Sequence, residues 1–362
     1  MLSLSPSLDD RDARSNLEKL LKRHISADAF KSAVRKLHQR FQIYAAICPV
    51  PLPEPGLIIT PEIRTQCEMY LPVAEISAVF DRLYRTSLSY SPIFESCPFH
   101  KAQSWANVFV SLPQRFQFSP NPACLLEKLI SHPELLVEFL FVSFLPRRFY
   151  GGFRRYPQQL EFLGSWMNGR SSRSLRCLDA ACGTGESSYD LVLKLLEKGC
   201  RPAELRVEGW TIEPLETWSA AHACFPHDPL READYRREIQ AVFTCKASER
   251  LLFRSVDLRG SVHDEESSVF DLILCNGLLG GPILNSPRET QDVVARLTRL
   301  LAPDGIILIA DCFHGGWKRK FPQDWLQLQF ESAGLDVCTA GEGFCAFRRV
   351  KTAIDGEPCA QQ

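Results

Sequence analysis

From Leu175 to Glu186 the chain reads Leu-Arg-Cys-Leu-Asp-Ala-Ala-Cys-Gly-Thr-Gly-Glu, and few folds accommodate that order of residue types. A short apolar run ends in an acid, Asp179. A loop of small residues follows. A helical pattern then starts near Ser187, with Tyr189, Val192, Leu193 and Leu196 on one face and Gly199 past its end. Gly183 and Gly185 permit backbone angles closed to other residues and let a ligand approach the main chain. In open α/β sheets the ligand crevice lies at the carboxyl ends of the strands, where such a loop sits. Acids there suit a cationic ligand, so Asp179 or Glu186 would face a positive group. A phosphate asks for the reverse. The loop lacks the Lys-Ser/Thr ending of a P-loop and the third glycine of the dinucleotide fingerprint, which disfavours a nucleotide-dependent oxidoreductase. Two glycines alone are also compatible with a strand–turn–helix junction that binds nothing.

The same texture continues downstream. Leu205 to Ile212, Leu251 to Val256, Phe270 to Cys275 and Gly305 to Ala310 read as strands. A helix from Glu289 to Leu301 turns Val293, Val294, Leu297 and Leu300 to one side and stops at Pro303-Asp304-Gly305. Alternating strands and helices predict a parallel sheet covered on both faces. At the end, Leu335 to Ala340 and Phe344 to Val350 flank Gly341-Glu342-Gly343, the pattern of an antiparallel hairpin closing the sheet. Upstream the character differs. Apolar positions recur at helical spacing from Leu17 to Ala46, after Pro61, from Val73 to Leu83, from Cys124 to Ile130 and from Pro133 to Phe144. Pro49, Pro51, Pro53 and Pro55 form an extended spacer. The aromatic-rich stretch from Ser87 to Phe118 has no clear period. The expected organisation is a helical domain over residues 1–145, loose over 1–13, an α/β domain over 146–352, and a flexible tail over 353–362.

A chain of 362 residues with 45% apolar content can support two such domains. Its 42 basic and 43 acidic residues balance to a net charge of −1. A protein held on nucleic acid usually carries a basic surplus, so no nucleic-acid partner, RNA included, is expected. The 14 cysteines contain no C-x-x-C and lie mostly in apolar strings, where a free thiol acts as a small hydrophobe. That predicts reduced cysteines and a cytoplasmic protein. The N-terminus has no signal-peptide pattern. The apolar run from Leu135 to Leu145 contains Glu138 and is far shorter than the ~20 residues of a membrane span.

The string Asp179-Ala180-Ala181-Cys182-Gly183-Thr184-Gly185-Glu186 resembles motif I of the class I S-adenosylmethionine (SAM)-dependent methyltransferases, with Ala181 at the usual first glycine. Further matches follow in order. Trp210-Thr211-Ile212-Glu213-Pro214 resembles the second strand, whose terminal acid binds the ribose hydroxyls. The resemblance gives that role to Glu213, or to Thr211 in a shifted register. Phe253-Arg254-Ser255-Val256-Asp257-Leu258 resembles the third strand and implies an adenine-binding Asp257 beside Leu258. Phe270 to Asn276 resembles the fourth strand, at whose end, Asn276-Gly277, the methyl group is presented. Arg299 to Gly305 resembles the turn before strand five. The resemblance covers about Phe149 to Val350. It implies a Rossmann-like, mostly parallel sheet with one antiparallel strand, and SAM as cofactor. Ala180-Ala181-Cys182-x-Thr184-Gly185-Glu186 is similar to the chemotaxis receptor methyltransferase (CheR) family. That family also has a helical N-terminal domain, a long insertion after strand two and an upstream Phe-Phe-Arg segment, approximated by Gly152-Phe153-Arg154. Its Arg-Asn-Val-x-Ile-Tyr-Phe is here Cys275-Asn276-Gly277-Leu278-Leu279-Gly280-Gly281, which keeps only the asparagine.

These readings imply a methyltransferase acting on a carboxylate or amine of a protein or small-molecule acceptor. The alternative is a non-catalytic SAM-binding or partner-binding module on the same fold. Arg154, Arg155 and Tyr156 are candidates for orienting an acidic acceptor, because arginine grips carboxylates bidentately; a solvated basic linker is the competing reading. His222, Cys224 and His227 form an H-x-C-x-x-H string that offers three ligands but reads better as a helix end and loop, and no metal is expected. His314, after the fifth strand of the α/β region, is either a base near the site or an ordinary loop histidine.

Overall fold

The computed structural model describes residues 2–22, 25–94, 97–147, 151–168, 174–260, 269–281, 283–311 and 321–348. One eight-stranded sheet organises them. Its strands are β1 (Ser3–Leu4), β2 (Leu175–Asp179), β3 (Leu205–Thr211), β4 (Leu251–Ser255), β5 (Phe270–Asn276), β6 (Leu301–Ala310), β7 (Leu335–Ala340) and β8 (Gly343–Arg348). Across the sheet they run β1-β4-β3-β2-β5-β6-β8-β7. From β4 to β6 all neighbours are parallel, while β8 runs antiparallel to both β6 and β7. The strand order reverses between β2, which pairs with β3 on one side, and β5 on the other. That reversal opens a crevice at the carboxyl ends.

Side chains alternate across the pleat. In β5, Leu272 and Leu274 join one apolar cluster, and Ile273 and Cys275 join the other. Helices bury both faces, so the strands read as near-continuous apolar runs. One face packs against α9 (Glu186–Glu197), α10 (Pro214–His222) and α11 (Pro229–Thr244). The other packs against α12 (Pro287–Leu300) and α13 (Gln323–Ser332).

Residues 10–144 supply α1 (Asp10–Leu20), α2 (Lys31–Ile47), α3 (Pro61–Tyr70), α4 (Val73–Ser87), α5 (Trp105–Ser111), α6 (Pro122–Ser131) and α7 (Pro133–Phe144). Their apolar residues join the same cluster as the α9–α11 face of the sheet. Residues 2–13, expected to be loose, are ordered. β1 adds to the edge of the sheet, Ser3 opposite Arg254 and Leu4 opposite Phe253, as a second antiparallel strand. Asp9 caps α1, its carboxylate accepting from the Arg11 amide at 2.7 Å. Trp218 Nε1 donates to the Ala13 carbonyl at 2.8 Å and fastens α1 to α10. The stretch without a period contains α5, whose Trp105, Ala106, Val108 and Phe109 are all buried. A further helix, α8 (Pro157–Trp166), leads into the α/β region. The described cysteines are free thiols, and no helix of the described residues is long and apolar enough to cross a membrane. The expected tail, 353–362, and His314 lie outside the described residues.

Candidate active site

A cavity of about 260 Å³ opens at the carboxyl ends of β2 to β5. Each strand delivers its following residues to it: Ala181, Gly183 and Thr184 after β2, Ile212 and Glu213 after β3, Asp257 and Leu258 after β4, and Gly277 after β5. Gly151, Arg155, Tyr156 and Gln159 line one side, and Ile93 and Phe144 bring the helical region to its wall.

Backbone hydrogen bonds set the first loop: Ala180 N–H to Leu274 O at 2.8 Å, Cys182 N–H to Trp210 O at 2.9 Å and Gly185 N–H to Cys182 O at 2.8 Å. The two glycines differ in purpose. Gly183 lines the cavity and has φ +52°, with open space where a Cβ would stand. Gly185 has φ +95° and caps α9, and a Cβ there would crowd Ala220, Tyr235 and Phe253. Gly185 therefore serves backbone packing and does not line the cavity.

The two acids of the loop also separate. Asp179 is 1% exposed and does not line the cavity. Its Oδ2 accepts from Ser187 Oγ at 2.5 Å and Ser188 Oγ at 2.8 Å, tying β2 to the first turn of α9. Burial pushes its carboxyl up to about 6, against the pull of those hydroxyls. The direct ligand contact considered for Asp179 is thus not what the geometry provides. Glu186 does line the cavity. Thr184 Oγ1 lies 3.1 and 2.8 Å from its two oxygens, and Arg231 of α11 forms a buried ion pair with Oε1.

At the end of β3 both candidates reach the cavity, in different ways. Thr211 Oγ1 donates to Glu216 Oε2 at 2.5 Å. Glu213, 5% exposed, accepts at Oε1 from the Leu215 amide at 3.1 Å and from the Tyr90 hydroxyl. Its Oε2 is buried and has no hydrogen-bond partner among the described residues. Burial pushes Glu213 up to about 8 and Glu216 up to about 7. An orphaned buried carboxylate oxygen costs stability unless something donates to it.

Asp257 is gripped by Arg259, whose Nε and Nη2 each lie 3.0 Å from a carboxylate oxygen. Burial pushes this carboxyl up, but Arg259 outweighs it and the net shift is below the usual range. Leu258 lines the cavity beside it. Asn276 is a clasp. Its Oδ1 accepts from the Ala310 amide at 2.9 Å and Gln159 Nε2 at 3.1 Å, and its Nδ2 donates to Gln159 Oε1 at 2.7 Å. Gly277, at φ +69°, donates its amide to Ala310 O at 2.9 Å.

The basic–aromatic segment divides. Arg155 and Tyr156 line the cavity and Arg154 does not. The Arg154 guanidinium grips Glu238 of α11 through bonds of 2.9 and 3.0 Å, and its amide donates to Asp190. Arg154 at φ +54° is thus a brace between this segment and the α9–α11 layer, and its assignment to the acceptor is corrected. The H-x-C-x-x-H residues have separate partners: His222 with Ser7 O and Asn16, Cys224 with Arg236, His227 with Leu145 O. Sequence reasoning missed Tyr90, Gln159, Glu216 and Arg231. Glu216 alone carried a local signal, three residues beyond Glu213 on a new helix.

No protein-family model matches the chain. It is 30% identical over 170 residues to a probable biofilm formation methyltransferase, WspC, of Pseudomonas putida KT2440; the match takes in 43% of this chain and 39% of that relative's length. Among solved structures, a TehB-like SAM-dependent methyltransferase from Corynebacterium glutamicum is 17% identical, with a TM-score of 0.33 over 53% of this chain and 88% of that one. SAM-bound CalS10, an amino pentose methyltransferase from Micromonospora echinaspora, is 15% identical, with a TM-score of 0.35 over 53% and 90%. The sequence likeness to WspC, which spans less than half of either chain, accords with the methyltransferase-like motif that closes β2.

Proposed function

We propose that the chain transfers the methyl group of SAM to a carboxylate or amine of a protein or small-molecule acceptor, on a CheR-like catalytic domain. The observation that carries this reading is the charge pattern of the crevice. Carboxylates, not clustered cations, stand at its strand ends, and one of them, Glu213, keeps a buried oxygen without a donor. The residues present fit SAM. Glu186 would meet the ammonium of its methionine part, Glu213 the ribose hydroxyls, and Asp257 with Leu258 the adenine. Ala181 and the open side of Gly183 leave room for the ligand against the backbone. When bound, SAM supplies a methyl group already activated on a sulfonium, so alignment and water exclusion are the main demands on the protein.

Those demands fall on the residues around Gly277. Asn276 positions Gln159 and ties β5 to β6, which holds the Asn276-Gly277 turn. Leu278, Ile283 and Leu284 give an apolar wall that excludes water. Arg155 and Tyr156 would orient the acceptor. Arg155→Ala is then expected to lower kcat/KM for the acceptor by roughly 100-fold, with SAM affinity unchanged, as for loss of a bidentate contact. Arg154→Ala should leave turnover within about twofold and affect stability alone. Steady-state kinetics of the two variants checks this; unchanged turnover in both removes the assignment.

A non-catalytic SAM-binding module is the second reading. It is favoured by the absence of an aromatic residue after Asn276 and by the use of the Asn276 amide in the clasp. Incubation of the protein with methyl-labelled SAM and host extract separates the two. Label in base-labile protein esters supports carboxyl methylation, label in stable protein or small-molecule products supports an amine, and SAM binding without label transfer supports the module.

A further inference from the structure

We propose that Tyr90, contributed by the helical region, is a positioning residue for the cofactor: its hydroxyl fixes the carboxyl group of Glu213 in the cavity wall, where the ribose diol would meet it. This rests on the reading of the cavity as a SAM site.

Tyr90 follows α4 in the chain, 123 residues from Glu213, yet its hydroxyl donates to Glu213 Oε1. The Leu215 amide donates to the same oxygen. Two donors on Oε1 and none on the buried Oε2 fix the carboxyl plane of Glu213 in the cavity wall. A vicinal diol brings hydroxyl hydrogens, which an ionised oxygen accepts and a protonated one accepts poorly.

The surroundings bear on that proton. Glu216 on α10 faces Glu213 and raises it further, beyond the larger effect of burial, while Tyr90 and the Leu215 amide pull it down. Glu186 on α9 and Arg231 on α11 act on Glu216 in opposite directions. Glu213 is carried up to about 8, so near pH 7 the free protein holds it mostly protonated. Tyr90 is itself raised by burial and by Glu213, which keeps its proton in place as donor. Binding of the diol then favours the carboxylate, and the displaced proton passes to buffer. The helical region therefore tunes cofactor affinity through one hydroxyl.

The test uses the full chain and S-adenosylhomocysteine (SAH) as probe. Calorimetry between pH 6 and 9, in buffers of different ionisation enthalpy, reads affinity and proton release together. Wild type should release a proton at pH 7, and affinity should rise roughly tenfold per pH unit below pH 7 and flatten above pH 8. Tyr90→Phe should lower affinity at pH 7 by about tenfold and move the flattening to higher pH. Glu213→Gln should abolish the slope. Adenosine should show the slope and 2′,3′-dideoxyadenosine should not, which a merely structural role for Tyr90 would leave unexplained. SAH binding with a flat profile, or a Tyr90→Phe profile identical to wild type, overturns the proposal and leaves the SAM site standing. Binding of neither SAM nor SAH removes the site and the proposal together.

Discussion

Glu213→Gln is expected to weaken SAM and SAH binding by roughly 100-fold at pH 8 while raising the melting temperature of the free protein by several degrees. The first effect follows from replacing a charged acceptor by a neutral amide against the ribose hydroxyls, where charge-assisted hydrogen bonds contribute about 1.5–3 kcal/mol each. The second follows from linkage. The folded state raises Glu213 from 4.5 to about 8, so it binds the proton more tightly than the unfolded chain. The stability tied to that proton is fully present below about 4.5 and is lost as pH rises through about 8. Glu216, raised to about 7, and Asp179, raised to about 6, act in the same sense. The free wild-type protein should therefore soften steadily between pH 5 and 8. Glu213→Gln cannot ionise, and its gain should be largest at pH 8 and small at pH 5. Thermal melts across that range, with and without SAH, read both effects. A variant that binds SAH as wild type does, or that is less stable at pH 8, contradicts the assignment of Glu213.

Gly185→Ala should be the most damaging single methyl in the cofactor loop. Its Cβ would stand 2.8 Å from Ala220 Cβ, 3.0 Å from Tyr235 Oη and 3.1 Å from Phe253 Cε1, at a φ of +95°. The left-handed backbone costs about 1–3 kcal/mol for a residue with a Cβ, and overpacking a similar amount. The neighbours have little freedom to retreat. Tyr235 donates to Thr184 O at 2.6 Å, and Ala220 and Phe253 lie in the fully buried core. A fall in melting temperature of roughly 5 °C or more is expected, with cofactor binding lost as the loop shifts. Gly183→Ala makes the contrast. Its φ of +52° carries the same kind of left-handed cost, but nothing lies within 4 Å of its Cβ, so only the overpacking cost is spared and the fold should lose less. That space is where the cofactor would approach, so SAH affinity should still fall by tenfold or more. Similar melting temperatures for the two variants would contradict this division of labour between the glycines.

The α/β half was legible because its signals are local. A buried parallel strand is a run of apolar residues, and the residue that ends it sits at the crevice by topology alone. Glu213, Asp257, Leu258, Asn276 and Gly277 reach the cavity from such positions, and Glu186 from the start of α9. Asp179 has the same place in its motif but faces two serines of α9, because a strand-terminal side chain can point behind the loop as well as across it. Arg154 shows the limit of reading a basic run: Glu238, 84 residues away, takes its guanidinium. Tyr90 was illegible for the same reason, since its partner is fixed by packing of the helical region and not by any local pattern. β1 is two residues long and takes its place by pairing with β4, which no local pattern announces. Pro157-Gln158-Gln159, which opens α8 and brings Gln159 to Asn276, carries no more than a helix-start signal in sequence.

The central claim, that the crevice at the carboxyl ends of β2 to β5 is a SAM site, is tested most directly by isothermal calorimetry of the full chain with SAM and with SAH at pH 8. Saturable one-to-one binding of both, with dissociation constants on the order of micromolar, is predicted from two buried carboxylate contacts and an enclosed adenine edge. No binding of either at millimolar concentration, by a protein whose melting curve shows it folded, would contradict it.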